Sequence, residues 1–206
     1  MIVVIDYHMG NLGSIMNMLK KVGAKAILSS NIADVEKAEK LVLPGVGAFD
    51  TGMKNLVDLG LIPVLNHKVI ESKTPILGIC LGMQLLTKSS EEGDMAGLGW
   101  IDGETLRFKF DDVQGVKDKI PHMGWNTVKI TRKSHLFDDM YPEPRFYFVH
   151  SYHVRCNREE DILTKTFYGY DFVSSILRGN IAGVQFHPEK SHKFGMKLMS
   201  NFVSLD

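Results

Sequence analysis

The 206-residue chain has little that would brace it other than its own core. It has only two cysteines, Cys80 and Cys156, 76 positions apart. Two thiols so separated make neither a disulfide framework nor a close pair of metal ligands, so neither a metal nor another cofactor is expected. No run approaches the ~18–20 apolar residues of a membrane span. The opening Met1-Ile2-Val3-Val4-Ile5-Asp6 has no basic region and meets an acid after four apolar residues, unlike a secretory signal. An excess of one charge is also missing. Lys and Arg number 24, Asp and Glu 24, and the formal net charge is zero, so the whole-chain footprint of a nucleic-acid binder is absent. The setting expected is the reducing cytoplasm, without membrane or nucleic-acid partners. What is present is an ordinary globular composition, 44% hydrophobic and 23% charged. That suffices for one domain over 1–206 whose core needs no staple.

The two halves read differently. In the first, Ile2 to Ile5 is a short apolar run typical of a strand buried on both faces. Leu12, Ile15, Met16, Leu19 and Val22 follow helical spacing, with Gly23 as the stop. Ala26 to Leu28 predicts a second strand, and Leu41 to Leu43 a third, closed by Pro44-Gly45. Asp50 to Glu71 predicts one or two helices, with Pro63 marking a break or restart. Pro75 to Ile79 predicts a strand and Gly82 to Thr87 a helix. This rhythm predicts an α/β fold with a mostly parallel central sheet flanked by helices, like a flavodoxin core. In the second half, Thr127–Ile130, Arg145–His150, Leu163–Tyr168, Val173–Leu177 and Ile181–Phe186 predict strands. No crossover helices fit between them, so antiparallel pairing is expected there. A last helix from Ser191 to Val203 carries Phe194, Leu198 and Phe202 on one face.

Gly78-Ile79-Cys80-Leu81-Gly82 lies between a buried strand and a helix. It matches the G-x-nucleophile-x-G elbow with Cys in the nucleophile's place. The elbow would present the sulfur near a helix N-terminus, where partial positive charge favours thiolate. The N–H of Leu81 would face a developing oxyanion. The pentapeptide alone equally describes a small core cysteine between packing glycines.

A cysteine nucleophile needs a base. Of eight histidines, His187 follows the apolar strand Ile181–Val184, and active-site groups of open α/β sheets sit just past strand ends. Glu189, two residues on, would share its side in an extended segment and fix its tautomer. Read singly, His187 fits better as a surface histidine before a proline turn. Pro44-Gly45-Val46-Gly47 ends another strand and has the composition of a loop that turns N–H groups inward. It lacks the Lys-Ser or Lys-Thr ending of a phosphate loop.

Taken together, Pro44-Gly45-Val46-Gly47-Ala48-Phe49, Gly78 through Gln84 and Gln185 through Ser191 resemble the three signature segments of class I (triad) glutamine amidotransferases. Asp6-Tyr7, Gly10-Asn11, Gly99-Trp100, Pro121 through Asn126 and Tyr147 through Tyr152 narrow the resemblance to the glutaminase subunits of imidazole glycerol phosphate synthases of histidine biosynthesis. The resemblance spans essentially the whole chain. It implies hydrolysis of L-glutamine to glutamate and ammonia through a thioester on Cys80, with His187 and Glu189 completing the triad. It implies an oxyanion hole from the backbone of Leu81 and Val46, on a loop that turns into place when partner and acceptor bind. It implies glutamine-binding positions at Gly47, Gln84, Glu92, Ser151 and Tyr152. It also implies a heterodimer with a (β/α)₈ cyclase or synthase that receives ammonia through a tunnel, with Tyr147, Trp125 and Lys190 at the interface or gate.

Two segments depart from that pattern. His8 stands where the family usually has glycine, and Ser191-His192-Lys193-Phe194-Gly195-Met196 is closer to paralogues of surface-polysaccharide synthesis, which supply ammonia to amidate a nucleotide-linked sugar. That acceptor is the alternative. A Cys-triad hydrolase of another substrate is a more distant one.

Overall fold

The computed structural model describes residues 1–110 and 119–205. Its centre is a ten-stranded mixed sheet. The parallel part comprises β1 (Ile2–Ile5), β2 (Ala26–Ser29), β3 (Lys40–Gly45), β4 (Ile76–Cys80) and β12 (Ile181–Val184), in the order β2-β1-β3-β4-β12. Beyond β12 the pairing turns antiparallel through β11 (Tyr170–Arg178), β10 (Ile162–Tyr168) and the short β7 (Lys129–Ile130). From β11 branches β9 (Tyr152–Cys156), which pairs with β5 (Gly103–Arg107). A separate two-stranded sheet joins β6 (His122–Thr127) to β8 (Arg145–His150).

Alternation along the strands builds a core on each face. Val3 and Ile5 of β1 pack on one side with α3 (Phe49–Asp58) and α4 (Leu61–Asn66), through Met53, Leu56 and Leu65. Ile2 and Val4 face the other side, against α1 (Leu12–Lys21) and α6 (His192–Val203), through Ile15, Leu19, Leu198 and Phe202. Two shorter helices complete the set, α2 (Ile32–Glu36) and α5 (Leu81–Leu85).

The α/β architecture agrees with the sequence reading, while several boundaries differ. The long helical stretch breaks at Gly60, in the left-handed region at φ 65°, and restarts at Leu61, so that Pro63 marks the restart and not the break. Pro63 falls in the first turn of α4, where a missing N–H costs nothing. A π-helical turn, His67–Glu71, then carries α4 on to Glu71. Strand β3 runs through Pro44-Gly45 instead of ending before them. Pairing of β1 with β3 stops at Val42, whereas Leu41 N–H bonds toward the β4 side. By alternation the site of Pro44's missing N–H faces the side where no ladder remains. The strand expected over 127–130 is two pieces in different sheets, β6 ending at Thr127 and β7 beginning at Lys129, with Val128 buried between them.

Candidate active site

Strand β4 ends and α5 begins at Cys80, which takes φ 54° and ψ −109°. A non-glycine residue there is strained by about 1–3 kcal/mol, and such strain persists only where the surroundings enforce it. Two close approaches do so. A Cβ on Gly82 would stand 1.8 Å from the Leu43 carbonyl oxygen, and one on Gly78 would stand 2.7 Å from the Gly82 oxygen. The glycines therefore let strand, turn and helix pass at backbone contact.

His187 and Glu189 follow β12 and form a buried pair, with Nδ1 to Oε1 at 2.7 Å and side chains 1% and 2% exposed. Burial alone would lower the His187 pKa, but Cys80 and Glu189 favour the charged ring and raise it to about 10. His187 Nε2 has no hydrogen-bond partner among the described residues and is the nitrogen free for proton transfer. Ser191 holds the segment in place. Its hydroxyl donates to the His187 carbonyl (2.6 Å) and accepts from Tyr147 N–H (3.0 Å), while His187 N–H donates to the Tyr147 carbonyl (2.9 Å). The base is thereby stapled to β8.

A cleft of about 250 Å³ brings Cys80, Leu81, Val46, Gly47, Gln84, Glu92, Ser151 and Tyr152 to one wall, although they are spread over more than 100 residues of sequence. It is also lined by Pro121, Val149 and His150, which were not among the expected positions. A larger hollow of about 460 Å³ opens near Ile76 and Ala182, at the other end of β4 and β12, and contains none of these groups. Gly47 lies at φ 132°, where glycine is favoured, and Val46 is 49% exposed. Behind that loop the buried Tyr7 hydroxyl donates to the Pro44 carbonyl. Burial, and then the proximity of Cys80, push the Tyr7 pKa upward, so the phenol stays a donor. Gln84 Nε2 donates to the Tyr152 carbonyl (3.2 Å) and to Gln185 Oε1 (3.1 Å). Glu92 accepts from Phe49 N–H at 2.9 Å, supplying the cap that Ala48 lacks at the start of α3. Its pKa is raised, chiefly by burial.

Beside the cleft is a chain of neutral imidazoles. His150 Nδ1 contacts the Tyr152 carbonyl at 2.7 Å and therefore carries the proton. Its Nε2 then accepts from His122 Nδ1 (3.0 Å), and His122 Nε2 accepts from Asn126 (3.2 Å). Burial lowers His122 to about 4 and His150 well below its ordinary value. Farther out, Lys190 Nζ lies 5.5 Å from the centre of the Tyr147 ring, and Tyr147 meets Trp125 edge-on at 6.5 Å. Trp125 in turn stacks on His192 at 5.5 Å. Among the described residues no group of three or more His, Cys, Asp or Glu could hold a metal ion, and no helix is long and apolar enough to cross a membrane.

Sequence reasoning missed Ser191, Gln185 and Tyr7 as parts of the site. Each lay in a segment already singled out, but only its partners across the fold give it a task.

Comparison with known proteins gives consistent results. The family model described as glutamine amidotransferase class-I matches residues 3–205. A Methanococcus maripaludis protein named imidazole glycerol phosphate synthase subunit HisH 2 is 57% identical over 203 residues, covering 98% of each chain. A Pseudomonas aeruginosa protein of the same name is 51% identical over 205 residues, covering 100% of both. Among solved structures, a glutamine amidotransferase of Thermotoga maritima shares the fold, with a TM-score of 0.63 at 17% identity, over 91% of this chain and 75% of that one.

Proposed function

The chain belongs to the class I glutamine amidotransferases, and from that premise we propose that it is the glutaminase subunit of a two-part synthase of the imidazole glycerol phosphate type, with Cys80, His187 and Glu189 as its triad. The observation that carries this reading is the buried His187–Glu189 pair standing beside a strained Cys80 on the wall of a glutamine-sized cleft.

The Cys80 sulfur, as thiolate, attacks the side-chain carboxamide carbon of glutamine. Negative charge on the carbonyl oxygen is met by backbone N–H groups of Leu81 and Val46. His187, held protonated against Glu189, gives its Nε2 proton to the departing nitrogen, which leaves as ammonia, and a glutamyl thioester remains on Cys80. The neutral imidazole then takes a proton from water. The resulting hydroxide cleaves the thioester, releasing glutamate and restoring the thiolate–imidazolium pair. Gln84, Gly47, Ser151 and Tyr152 hold the substrate, and Glu92 faces its α-ammonium.

Ammonia freed into neutral water is mostly protonated and no longer nucleophilic, so a protected route to an acceptor is needed. A (β/α)₈ cyclase seated over Val46, Trp125, Tyr147 and Lys190 would provide it in a heterodimer. Exposed Met123 and Trp125 on β6, at 61% and 45%, support that placement.

The test is glutamate release from glutamine, with and without the histidine-pathway cyclase and its phosphoribosyl ligand. Stimulation of at least about tenfold supports the whole reading. A second reading, a sugar-amidating partner, rests on His8 and His192, in the two segments that depart from the family pattern. His8 lies at φ 64°, where glycine is favoured, with its side chain 68% exposed, and His192 lies at φ 46° against Trp125. Glutaminase activity that the histidine-pathway cyclase leaves unchanged would select it.

A further inference from the structure

Gln185 is completely buried one residue past β12, its backbone N–H fixed to the Ser174 carbonyl at 2.9 Å. A buried amide of this kind is retained only where its donors and acceptor are used. Here both ends serve the cleft. Gln185 Oε1 accepts from Gln84 Nε2 at 3.1 Å, and Gln185 Nε2 donates to the Cys80 sulfur at 3.7 Å. Gln84 spends its other amide proton on the Tyr152 carbonyl at 3.2 Å. The two links toward the nucleophile run in one direction. Gln84 donates to Gln185, and Gln185 donates to sulfur.

We propose that Gln185 is a positioning residue for the glutaminase reaction, which orients the Cys80 sulfur and stabilises negative charge on it while locking Gln84 with its carbonyl oxygen left for the substrate. The inference rests on the glutaminase reading above and adds a fourth side chain to the machinery around the nucleophile. Donors in series polarise one another, so the Gln84 link strengthens the Gln185 donor that faces sulfur. A hydrogen bond favours the charged form of its acceptor, and an anionic sulfur gains more from Gln185 than a neutral thiol does. The same contact fixes the approach angle of sulfur to a carboxamide in the cleft. Gln84 with both N–H groups occupied faces a ligand as an acceptor, which suits the N–H donors of glutamine.

The experiment uses the full chain in a Cys156→Ser background, which leaves one thiol. The rate of Cys80 alkylation by iodoacetamide is followed against pH in the parent, Gln185→Leu and Gln185→Glu, with kcat and KM for glutamine and Tm on the same samples. The proposal expects the alkylation midpoint to move to higher pH by at least about half a unit in Gln185→Leu and further in Gln185→Glu, whose carboxylate opposes charge on sulfur. It also expects kcat to fall at least about tenfold, because the oriented nucleophile is needed in the chemical step. A parent-like alkylation profile in folded Gln185→Glu overturns it, and this near-isosteric variant decides the matter if Gln185→Leu fails to fold. Lost activity with an unmoved alkylation profile also overturns it, as the signature of packing alone. Alkylation needs no glutamine turnover, so a parent that releases no glutamate would sink the functional reading separately.

Discussion

Cys80 holds a conformation that its side chain resists, and the strain sets the nearly buried residue against the cleft at a helix start. Removing the sulfur should cost activity far more than stability, since it takes one acceptor from the buried Gln185 amide and leaves the fold in place. Cys80→Ala is expected to lower glutamate release at least about 10³-fold while still melting cooperatively, as losing a covalent nucleophile does. Cys80→Gly should be more stable than Cys80→Ala by about 1 kcal/mol, since glycine adopts φ 54° freely, and denaturant melts of the two would read the difference. Cys156 makes the opposite case. Burial, and then Asp161 and Asp102, push its thiol up to about 12, so it stays protonated and inert at neutral pH. Mass spectrometry after brief alkylation at pH 7.5 should find the label on Cys80, and Cys156→Ser should keep full activity.

At the scale of elements, the site depends on three contacts between segments that share no sequence neighbourhood. Ser191 joins the His187 segment to β8 through two hydrogen bonds. Ser191→Ala leaves the half-buried Tyr147 N–H without its partner and the His187 carbonyl with the Lys190 N–H alone, so a loss of about 1–2 kcal/mol in urea unfolding is expected, with kcat falling as His187 loosens. Tyr7 ties β1 to the Pro44 carbonyl beside the oxyanion loop. Gly82 lets α5 lie against β3. A Cβ 1.8 Å from a backbone oxygen cannot be relieved by a side-chain shift, so Gly82→Ala should fail to give folded protein. A soluble, cooperatively melting Gly82→Ala would contradict this geometry.

At the scale of the whole molecule, the buried histidines set opposing pH limits. His122, lowered to about 4 by burial, and His150, also lowered well below its ordinary value by burial, stay neutral in the fold while the unfolded chain takes up protons near pH ~6.5. Their contribution is complete above about pH 6.5 and is lost as pH falls toward 4. His187 works in the other sense. Its folded pKa is raised to about 10, so its contribution is complete below about pH 6.5 and is lost as pH rises toward 10. Tm against pH should therefore peak near neutrality. His187→Ala should flatten the alkaline limb, and His122→Asn the acid limb. An alkaline limb unchanged in His187→Ala would remove the charged His187–Glu189 pair from the account. On the proposed reading the isolated chain should also be a slow glutaminase until the histidine-pathway cyclase is added, a difference that a coupled glutamate assay reads directly.

The sequence alone determined the chemistry and most of the frame. Short doubly buried strands such as Ile2–Ile5 are legible because apolar runs bounded by turn residues fit few other structures. Gly78-Ile79-Cys80-Leu81-Gly82 is legible because the elbow needs small residues at fixed offsets, and His187 and Glu189 because they lie two residues apart past a strand end. Pro63 marks the restart of the helical stretch to within one turn, and Gly60 three residues earlier makes the break. What only the tertiary structure decided is which distant groups complete those local signals. Nothing near Ser191 in sequence predicts that it holds Tyr147, and nothing near Gln185 predicts its place between Gln84 and Cys80, 101 and 105 residues away. Nor does the sequence reveal that β6 and β7 part at Val128 into different sheets. Covalent geometry and local propensity act over a few residues and leave their mark in the chain order. Hydrogen bonds between buried groups are set by which strands become neighbours, and that is a property of the folded sheet.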